Sequence, residues 1–268
     1  MSDIKISCVI PTCDRENLLK LSINSVLEQT KLPEEIIIVN NGKDPLHINV
    51  HKKFNLRVFN INKYAGLAVA LNLGCGLSKG NYIAFLEDDD LWEKNYIKKL
   101  QESITNNHQI YVSRIDKLEN KKITKYKNAS GSISINNFFL YNPGVNISNL
   151  CIKKKIINKM LNFDTKIKLG VDKCFVIDAL LAGYKFKVLD HIQEICRFHD
   201  GPRASKNFHN IIESNFLIYK KYKHHVSFLS KIKLIYKILV IFFLRRIKMN
   251  NEHRKILISY YYITIKYK

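Results

Sequence analysis

Hydrophobic residues along the first hundred positions form short continuous runs that are separated by segments of helical spacing. Four of the runs have the length of buried strands: residues 4–10, 35–40, 56–59 and 82–86. Residues 18–27 and 67–77 place apolar or small side chains at helical intervals, and Thr12 or Asp14 is expected to cap the first helix. This order of elements predicts an α/β fold, with a mostly parallel sheet covered by helices on both faces.

The later segments are less regular. Residues 109–113 have strand character, the polar stretch 120–134 is expected to be a loop, and a helix is expected from residue 170 to about 183. Residues 207–268 are predicted to be helical and are rich in lysine and tyrosine. The expected arrangement is one α/β domain at residues 1–205, followed by a basic helical region at residues 206–268.

Four adjacent acidic residues end the run at residues 82–86: Glu87, Asp88, Asp89 and Asp90. They are predicted to lie at the carboxyl end of a strand, which is where open α/β sheets bind ligands. Adjacent carboxylates repel one another, and Mg²⁺ or Mn²⁺ would relieve that repulsion because both ions prefer oxygen ligands. A solvated acidic turn at the start of a helix near Trp92 is the alternative.

Charge is concentrated towards the C-terminus. Residues 1–105 carry 13 basic and 13 acidic side chains, residues 106–205 carry 17 and 8, and residues 206–268 carry 14 and 2. The last segment therefore favours an anionic partner, either a lipid surface or nucleic acid. The six cysteines have no C-x-x-C spacing and the N-terminus has no signal-like segment, so we expect reduced thiols and a cytoplasmic location.

One apolar run in the basic region bears on membranes. Residues 238–244 are apolar, are flanked by Lys237 and Arg245, and are too short to span a bilayer. With the surrounding lysines they fit a helix lying on an anionic membrane surface. A helix packed on the α/β domain, or a contact in a homodimer, remains the alternative.

Four motifs in a fixed order resemble the family 2 inverting glycosyltransferases of the GT-A fold, of the kind that builds bacterial surface glycans. The motifs are CVIPTCDR at residues 8–15, IIIVNNG at 36–42, GLAVALNLG at 66–74 and YIAFLEDDDLW at 82–92. The resemblance is good over residues 1–105 and continues more weakly to about residue 205. It implies a nucleotide-binding half at residues 1–105 and an acceptor-binding half at residues 106–205.

The resemblance also implies roles for individual residues. Asp89 and Glu87 match the two acidic positions of the D-x-D motif and would hold Mn²⁺ or Mg²⁺, with Asp90 and His199 as further candidate ligands. Three departures are notable: Asn40-Asn41 stands where the family has acids, Leu71 where it has arginine, and Val171 where it has glutamate. The residues implied to contact the sugar nucleotide are Pro11, Thr12, Asp14, Arg15, Asn40, Asn41, Lys63, Gly66, Asn72, Asp88 and Arg203.

Asp172 is the candidate general base implied by the family's acidic motif at this place. It would take a proton from the acceptor hydroxyl as that hydroxyl attacks the anomeric carbon. A role as a helix cap is the alternative.

The function that the resemblance implies is metal-dependent, inverting transfer of a hexosyl or N-acetylhexosaminyl group. The donor is a nucleotide-diphosphate sugar, with UDP favoured, and the acceptor is a glycan or a lipid-linked glycan at the inner face of the cytoplasmic membrane. Two alternatives remain: a nucleotidyltransferase, which would want a glycine-rich basic signature after the first strand, and a non-catalytic binder of membranes or nucleic acid. No recognisable nucleic-acid module is present.

Overall fold

A nine-stranded sheet forms the centre of the molecule. The computed structural model describes residues 3–48, 54–157, 161–198 and 208–246. The strands are β1 Ile6–Thr12, β2 Glu35–Asn40, β3 Leu56–Asn60, β4 Tyr82–Phe85, β5 Asp90–Trp92, β6 Ile110–Glu119, β7 Lys122–Lys127, β8 Leu150–Lys153 and β9 Phe186–Arg197. The helices are α1 Glu16–Leu27, α2 Leu67–Leu77, α3 Tyr96–Ser103, α4 Ile135–Leu140, α5 Lys154–Ile157, α6 Val171–Leu181, α7 Phe208–Tyr222 and α8 Phe228–Arg246, with a 3₁₀ turn at Lys223–His225 between the last two.

The strand order is β3-β2-β1-β4-β8-β6-β9-β5, with β7 paired to β6. The first four strands are parallel to one another, so their carboxyl ends meet at one edge of the sheet. In the second half, β8 runs antiparallel between β4 and β6, whereas β9 runs parallel to β6. The short strand β5, which follows the acidic residues, pairs antiparallel with β9 and thereby joins the two halves.

Apolar side chains cover both faces of the sheet. Val9 and Ile37 point into one buried cluster with α2 and α6, whereas Ile10 and Ile36 point into a second cluster with α1 and α3. Successive residues of a strand alternate between faces, so a continuous apolar run is what a strand buried on both sides requires. The predicted α/β fold with helices on both faces is confirmed.

Two local expectations, and the alternative of a helix that starts near Trp92, were wrong. The first helix begins after Arg15 without a side-chain cap, because the Thr12 hydroxyl donates to Asp88 and the Asp14 carboxylate accepts from the Lys43 amide at 2.7 Å. The stretch 120–134 contains β7, which is exposed and therefore lacks the apolar pattern of a buried strand. The acidic residues lead into the strand β5, and the next helix starts only at Tyr96.

The C-terminal helices pack on the α/β domain through one face. Ile218, Tyr222 and Leu234 are buried in the same cluster as α4 and α6. The Tyr222 hydroxyl donates to Asp178 at 2.9 Å, and Lys221 forms an ion pair with the same carboxylate at 2.9 Å. Within the ranges given above, no helix has both the length and the apolar character needed to cross a membrane. The division at residue 205 remains a prediction.

Candidate active site

The acidic turn between β4 and β5 is tied to the end of β1 by Arg15. The Thr12 hydroxyl donates to Asp88 Oδ2 at 2.7 Å, and the Arg15 guanidinium pairs with both oxygens of the same carboxylate. A further Arg15 nitrogen donates to Asp89 Oδ2 at 2.7 Å. Burial raises the pKa of Asp88 to about 6, although Arg15 and Thr12 both favour its ionised form. Adjacent parallel strands thus bring a cation directly to two of the four acids.

Arg197, at the end of β9, holds the backbone of the acidic turn from behind. Its Nε donates to the Asp89 carbonyl at 2.7 Å, and one terminal nitrogen donates to the Asp88 carbonyl at 2.9 Å and to Ser22 Oγ at 3.0 Å. The same nitrogen also reaches the Leu18 carbonyl of α1 at 3.0 Å. The carbonyls of Asp88 and Asp89 are therefore satisfied by protein, which helps to fix the directions of the side chains in this turn.

Asp90 faces inward. Its Oδ2 accepts from the Ser148 hydroxyl at 2.6 Å and its Oδ1 accepts from the Arg197 backbone amide at 3.2 Å. Ser148 Oγ also accepts from the Glu87 backbone amide at 3.0 Å, so one buried hydroxyl contacts both the first and the last acidic residue of the turn. Asp90 is 4% exposed and Asp88 is fully buried, whereas the Asp89 side chain is 15% exposed. Glu87 and Asp89 are consequently the acids on the open side.

Asp172, the second residue of α6, comes close to this open side. Burial raises the pKa of Glu87 well above its usual range, and Asp89, Asp90 and Asp172 raise it further. Burial also raises the pKa of Asp172, although Lys173 and Lys127 favour its ionised form. Its Oδ2 accepts from Asn142 Nδ2 at 2.7 Å, and its carboxylate also accepts from the backbone amides at the start of α6. The structure thus brings the predicted base beside the predicted metal ligands, although 85 residues separate Glu87 from Asp172.

The residues on the open side fit a hard divalent cation. All their donor atoms are carboxylate oxygens, and no described residue donates a hydrogen bond to the Glu87 carboxylate. A divalent cation would favour the ionised form of Glu87, which burial and the neighbouring acids oppose. Among the described residues, a second group of possible metal ligands is formed by Asp90, Glu194 and Cys196. Their ligand atoms lie within 4.8 Å of one another. This group lies behind the turn, where the Asp90 oxygens already accept two hydrogen bonds.

The two asparagines after β2 shape the loops beside the turn. Asn40 donates to the Asp44 carbonyl and to Asn60 Oδ1, both at 2.9 Å, and accepts from the Gly42 amide at 2.9 Å. With the Asn41 amide assigned in the orientation that satisfies both its atoms, it donates to the Thr12 carbonyl at 2.7 Å and accepts from the backbone amide of Gly66 at 3.1 Å. These bonds correspond to the turn-forming alternative for the Asn-Gly pair. Their predicted contact with a nucleotide base stays a prediction.

Other predicted nucleotide contacts lie around the same edge. Gly66 precedes α2 with φ of +101°, which glycine adopts without steric cost. Lys63 is exposed in the turn before it, and Pro11 lies within β1 in register with Val39. The Asn72 side chain is engaged with a different segment. Its amide donates to the Phe163 carbonyl at 2.8 Å and accepts from the Phe163 backbone amide at 2.9 Å.

A family model decides the classification. The model for glycosyl transferase family 2 matches residues 7–192, more than half of the 268 residues. The chain belongs to glycosyl transferase family 2. The matched range begins in β1 and ends within β9, so it contains the acidic turn and Asp172.

Individual family 2 relatives share part of the chain. Glycosyltransferase GlyA of Streptococcus pneumoniae is 33% identical over 106 residues, covering 38% of this chain and 15% of GlyA. The Escherichia coli protein WfgD, a UDP-Glc:alpha-D-GlcNAc-diphosphoundecaprenol beta-1,3-glucosyltransferase, is 26% identical over 162 residues, covering 59% of this chain and 64% of WfgD. An uncharacterized glycosyltransferase of Rickettsia bellii is 36% identical over 145 residues, with 52% of this chain and 21% of that protein covered. The chain thus spans less than two thirds of these relatives.

Solved structures establish the fold. Residues 1–349 of S. aureus TarS, in complex with UDP-GlcNAc, superpose with a TM-score of 0.65 over 94% of this chain and 78% of that chain, at 16% identity. At that identity the likeness shows the GT-A fold alone, and it agrees with the expectation from the four motifs.

Sequence reasoning missed several residues that contact the acidic side chains or the backbone of the acidic turn. Arg197 lies two residues before His199, but the resemblance implied roles only for His199 and Arg203, both of which lie outside the described residues. Ser148 and Asn142 come from the irregular chain before β8, where no motif marks them. A buried serine or asparagine has no sequence signature of its own, since only the fold shows which groups it satisfies.

Proposed function

We propose that this protein is a metal-dependent, inverting glycosyltransferase that moves a hexosyl or N-acetylhexosaminyl group from a nucleotide-diphosphate donor to an acceptor hydroxyl. The observation that carries the proposal is the meeting of two kinds of carboxylate at one edge of the sheet. Glu87 and Asp89 lie on the open side of a turn held by Arg15, and Asp172 approaches them from α6. Family membership supports the reaction class.

The donor side has the composition of a diphosphate site. Glu87 and Asp89 would hold Mn²⁺ or Mg²⁺, which when bound neutralises the charge of the leaving diphosphate. Arg15 is 27% exposed and forms ion pairs with Asp88 and Asp89, so its guanidinium orients both carboxylates. Thr12 fixes Asp88 and thereby supports the position of Arg15.

The acceptor side has the composition of a general-base site. The Asp172 carboxylate takes the proton of the acceptor hydroxyl while a bond forms between that oxygen and the anomeric carbon, and the bond from that carbon to the diphosphate breaks. Attack from the face opposite the diphosphate inverts the configuration. Burial raises the pKa of Asp172, which makes its carboxylate a better proton acceptor than an exposed aspartate. Asn142 orients one of its oxygens.

A UDP-sugar and a lipid-linked glycan are the proposed substrates. The TarS structure contains UDP-GlcNAc, and the name of WfgD specifies UDP-glucose and a diphosphoundecaprenol-linked acceptor. By analogy with these relatives we place the protein in surface polysaccharide or lipooligosaccharide synthesis, peripheral to the inner face of the cytoplasmic membrane. Nucleic acid is not among the proposed partners, and a homodimer is compatible with the proposal.

Thermal unfolding of the full chain with Mn²⁺ and one of UDP, GDP, TDP, CDP or ADP tests the donor side, because a ligand bound only by the folded state raises the melting temperature. We expect a Mn²⁺-dependent rise with UDP, and hydrolysis or transfer of the matching UDP-sugar. Glu119→Gln, which changes an exposed acid on β6, is the matched control and should keep the rise. No rise with any nucleotide would leave a non-catalytic binder as the better description.

A further inference from the structure

The helix α8 has an apolar face that the α/β domain does not cover. Six large apolar side chains along it are between 42% and 75% exposed. They recur at intervals that place them on one side of a helix over about three turns, or roughly 17 Å. They are Phe228, Leu229, Ile232, Ile235, Tyr236 and Leu239, and together they form what we call the α8 stripe.

The opposite side of α8 is the one that docks. Ser230, Leu234 and Lys237 are buried there, between 0% and 7% exposed. The Lys237 ammonium donates to the Leu140 carbonyl of α4 at 3.0 Å. The helix therefore has a defined orientation on the domain, and the exposure of the stripe follows from that orientation.

Exposed apolar residues are common singly but rarely form a contiguous stripe on a soluble surface unless something binds there. On α1, for comparison, Leu21 is exposed at 52%, whereas the stripe joins six such residues on one helix face. The stripe thus marks an interaction surface.

Charge identifies the partner. At 100° per residue, Lys231 and Lys233 fall on the two borders of the stripe, where a lysine can rest its aliphatic stem on the apolar face and extend its ammonium group. Residues 228–246 contain no acid, and residues 206–268 contain 14 basic and 2 acidic side chains. An apolar stripe bordered by lysines is the arrangement of a helix that lies in the interface of an anionic membrane.

We propose that the α8 stripe docks on the surface of an anionic phospholipid bilayer, with the apolar side chains in the headgroup–acyl boundary and the lysines near lipid phosphates. A second copy of the chain fits this surface less well, because pairing two stripes would bring two acid-free, basic helices together. The proposal commits to the lipid surface.

The docking would also orient the candidate active site, a point that rests on the proposed function. The Lys237 side of α8 contacts the last turn of α4, and Asn142, two residues beyond that helix, donates to Asp172. A bilayer against the stripe would thus hold the acceptor half of the site near the membrane, where a lipid-linked glycan is located.

Co-sedimentation of the full chain with phosphatidylcholine vesicles, with and without phosphatidylglycerol, tests the proposal. We expect binding to the phosphatidylglycerol vesicles that weakens with salt, and at least about a tenfold loss of affinity in the double variant Ile232→Asp/Ile235→Asp, since two apolar side chains leave the interface. Leu21→Asp, at an equally exposed leucine of α1, is the matched control and should bind like wild type.

Three further measurements separate the outcomes. Circular dichroism and the Mn²⁺–UDP melting shift show whether the double variant still folds and still binds donor, so loss of membrane binding is distinguishable from failure of the proposed function. Light scattering reports the oligomeric state. Equal vesicle binding by wild type and the double variant would overturn the proposal, as would a wild-type dimer that the double variant abolishes without any vesicle binding.

Discussion

The two ends of the candidate active site hold their carboxylates in opposite ways. At the donor end, Asp88 and Asp89 form ion pairs with Arg15. At the acceptor end, Asp172 accepts from the neutral amide of Asn142. A guanidinium stabilises the ionised carboxylate strongly, whereas an amide orients a carboxylate without adding a positive charge.

This difference shows how one cluster of acids can serve two kinds of chemistry. A fixed cation favours the charged form that ligation of a metal needs, and Arg15 does so at Asp88, although burial still raises the pKa of Asp88 to about 6. At Asp172 burial outweighs the charges of Lys173 and Lys127 and raises the pKa, which suits proton transfer. Mutations can change each end of the site separately.

Asp89→Asn is expected to have the largest effect. It keeps the size of the side chain but removes the charge on the open side of the turn, so metal-dependent donor binding should be lost and kcat/KM should fall by about a thousandfold or more. Titration with Mn²⁺ and UDP, followed by unfolding temperature, measures the binding. An Asp89→Asn variant with a wild-type Mn²⁺–UDP shift would exclude Asp89 as a ligand.

Asp172→Asn should affect the other end alone. Loss of the general base is expected to lower kcat by about a hundred- to a thousandfold, while the Mn²⁺–UDP melting shift remains because Asp172 is not assigned to the donor. Single-turnover assays with a UDP-sugar and a lipid-linked acceptor provide the rate. Transfer at the wild-type rate would show that the base lies elsewhere.

The dependence of kcat on pH, on its acidic side, tests whether Asn142 influences the pKa of the base Asp172. Asp172 must be ionised to accept a proton, so activity is lost as the pH falls through its pKa, which burial places above the ordinary aspartate value. Asn142→Asp puts a second carboxyl group where the amide lies 2.7 Å from Asp172, and two adjacent carboxylates resist joint ionisation. The acid limb should therefore move to higher pH, with about a tenfold loss of kcat at a pH on that limb.

Asn142→Ala is the control for that experiment. It removes the hydrogen bond without adding a charge, so the acid limb should shift upward by less than in Asn142→Asp. Identical profiles for wild type and both variants would show that Asn142 does not influence the base.

The parallel half of the fold was predictable from sequence to within two residues. The runs that became β1, β2, β3 and β4 are apolar because both faces of these strands are buried, and the helix α2 matches residues 67–77 as expected. The acids at the end of β4 are visible for the same reason, since a buried strand that ends in carboxylates is an unusual pattern.

The second half was less predictable, because its contacts are between residues distant in sequence. Strand β7 is exposed and lacks the alternation of apolar and polar residues that marks a strand with one buried face. Its sequence therefore resembles a loop. Arg197 reaches Ser22 across 175 positions, and no local pattern can indicate such a pair. The partners of the acids were therefore missed, although the acids themselves were found.

A buried lysine of α8, Lys237, attaches the C-terminal helices to the acceptor half, and it gives the smallest expected effect. The Lys173 ammonium donates to the Phe139 carbonyl at 2.8 Å and Lys237 donates to the next carbonyl, Leu140, at 3.0 Å. Burial lowers the pKa of Lys237 to about 8. Between about pH 8 and the higher pKa of an unfolded lysine, the unfolded chain binds more protons, so this group makes the free energy of unfolding rise with pH.

Lys237→Met lacks the titrating group and should lose that rise. The free energy of unfolding of wild type, measured by urea denaturation relative to the variant, should be constant below about pH 8 and should increase by about 1 kcal/mol between pH 8 and pH 9. Lys231→Met, on the border of the α8 stripe, is the matched control on the same helix. If the difference between wild type and Lys237→Met did not change with pH, the ammonium would not be buried against α4, and the basic helix would not be attached to the acceptor half through this contact.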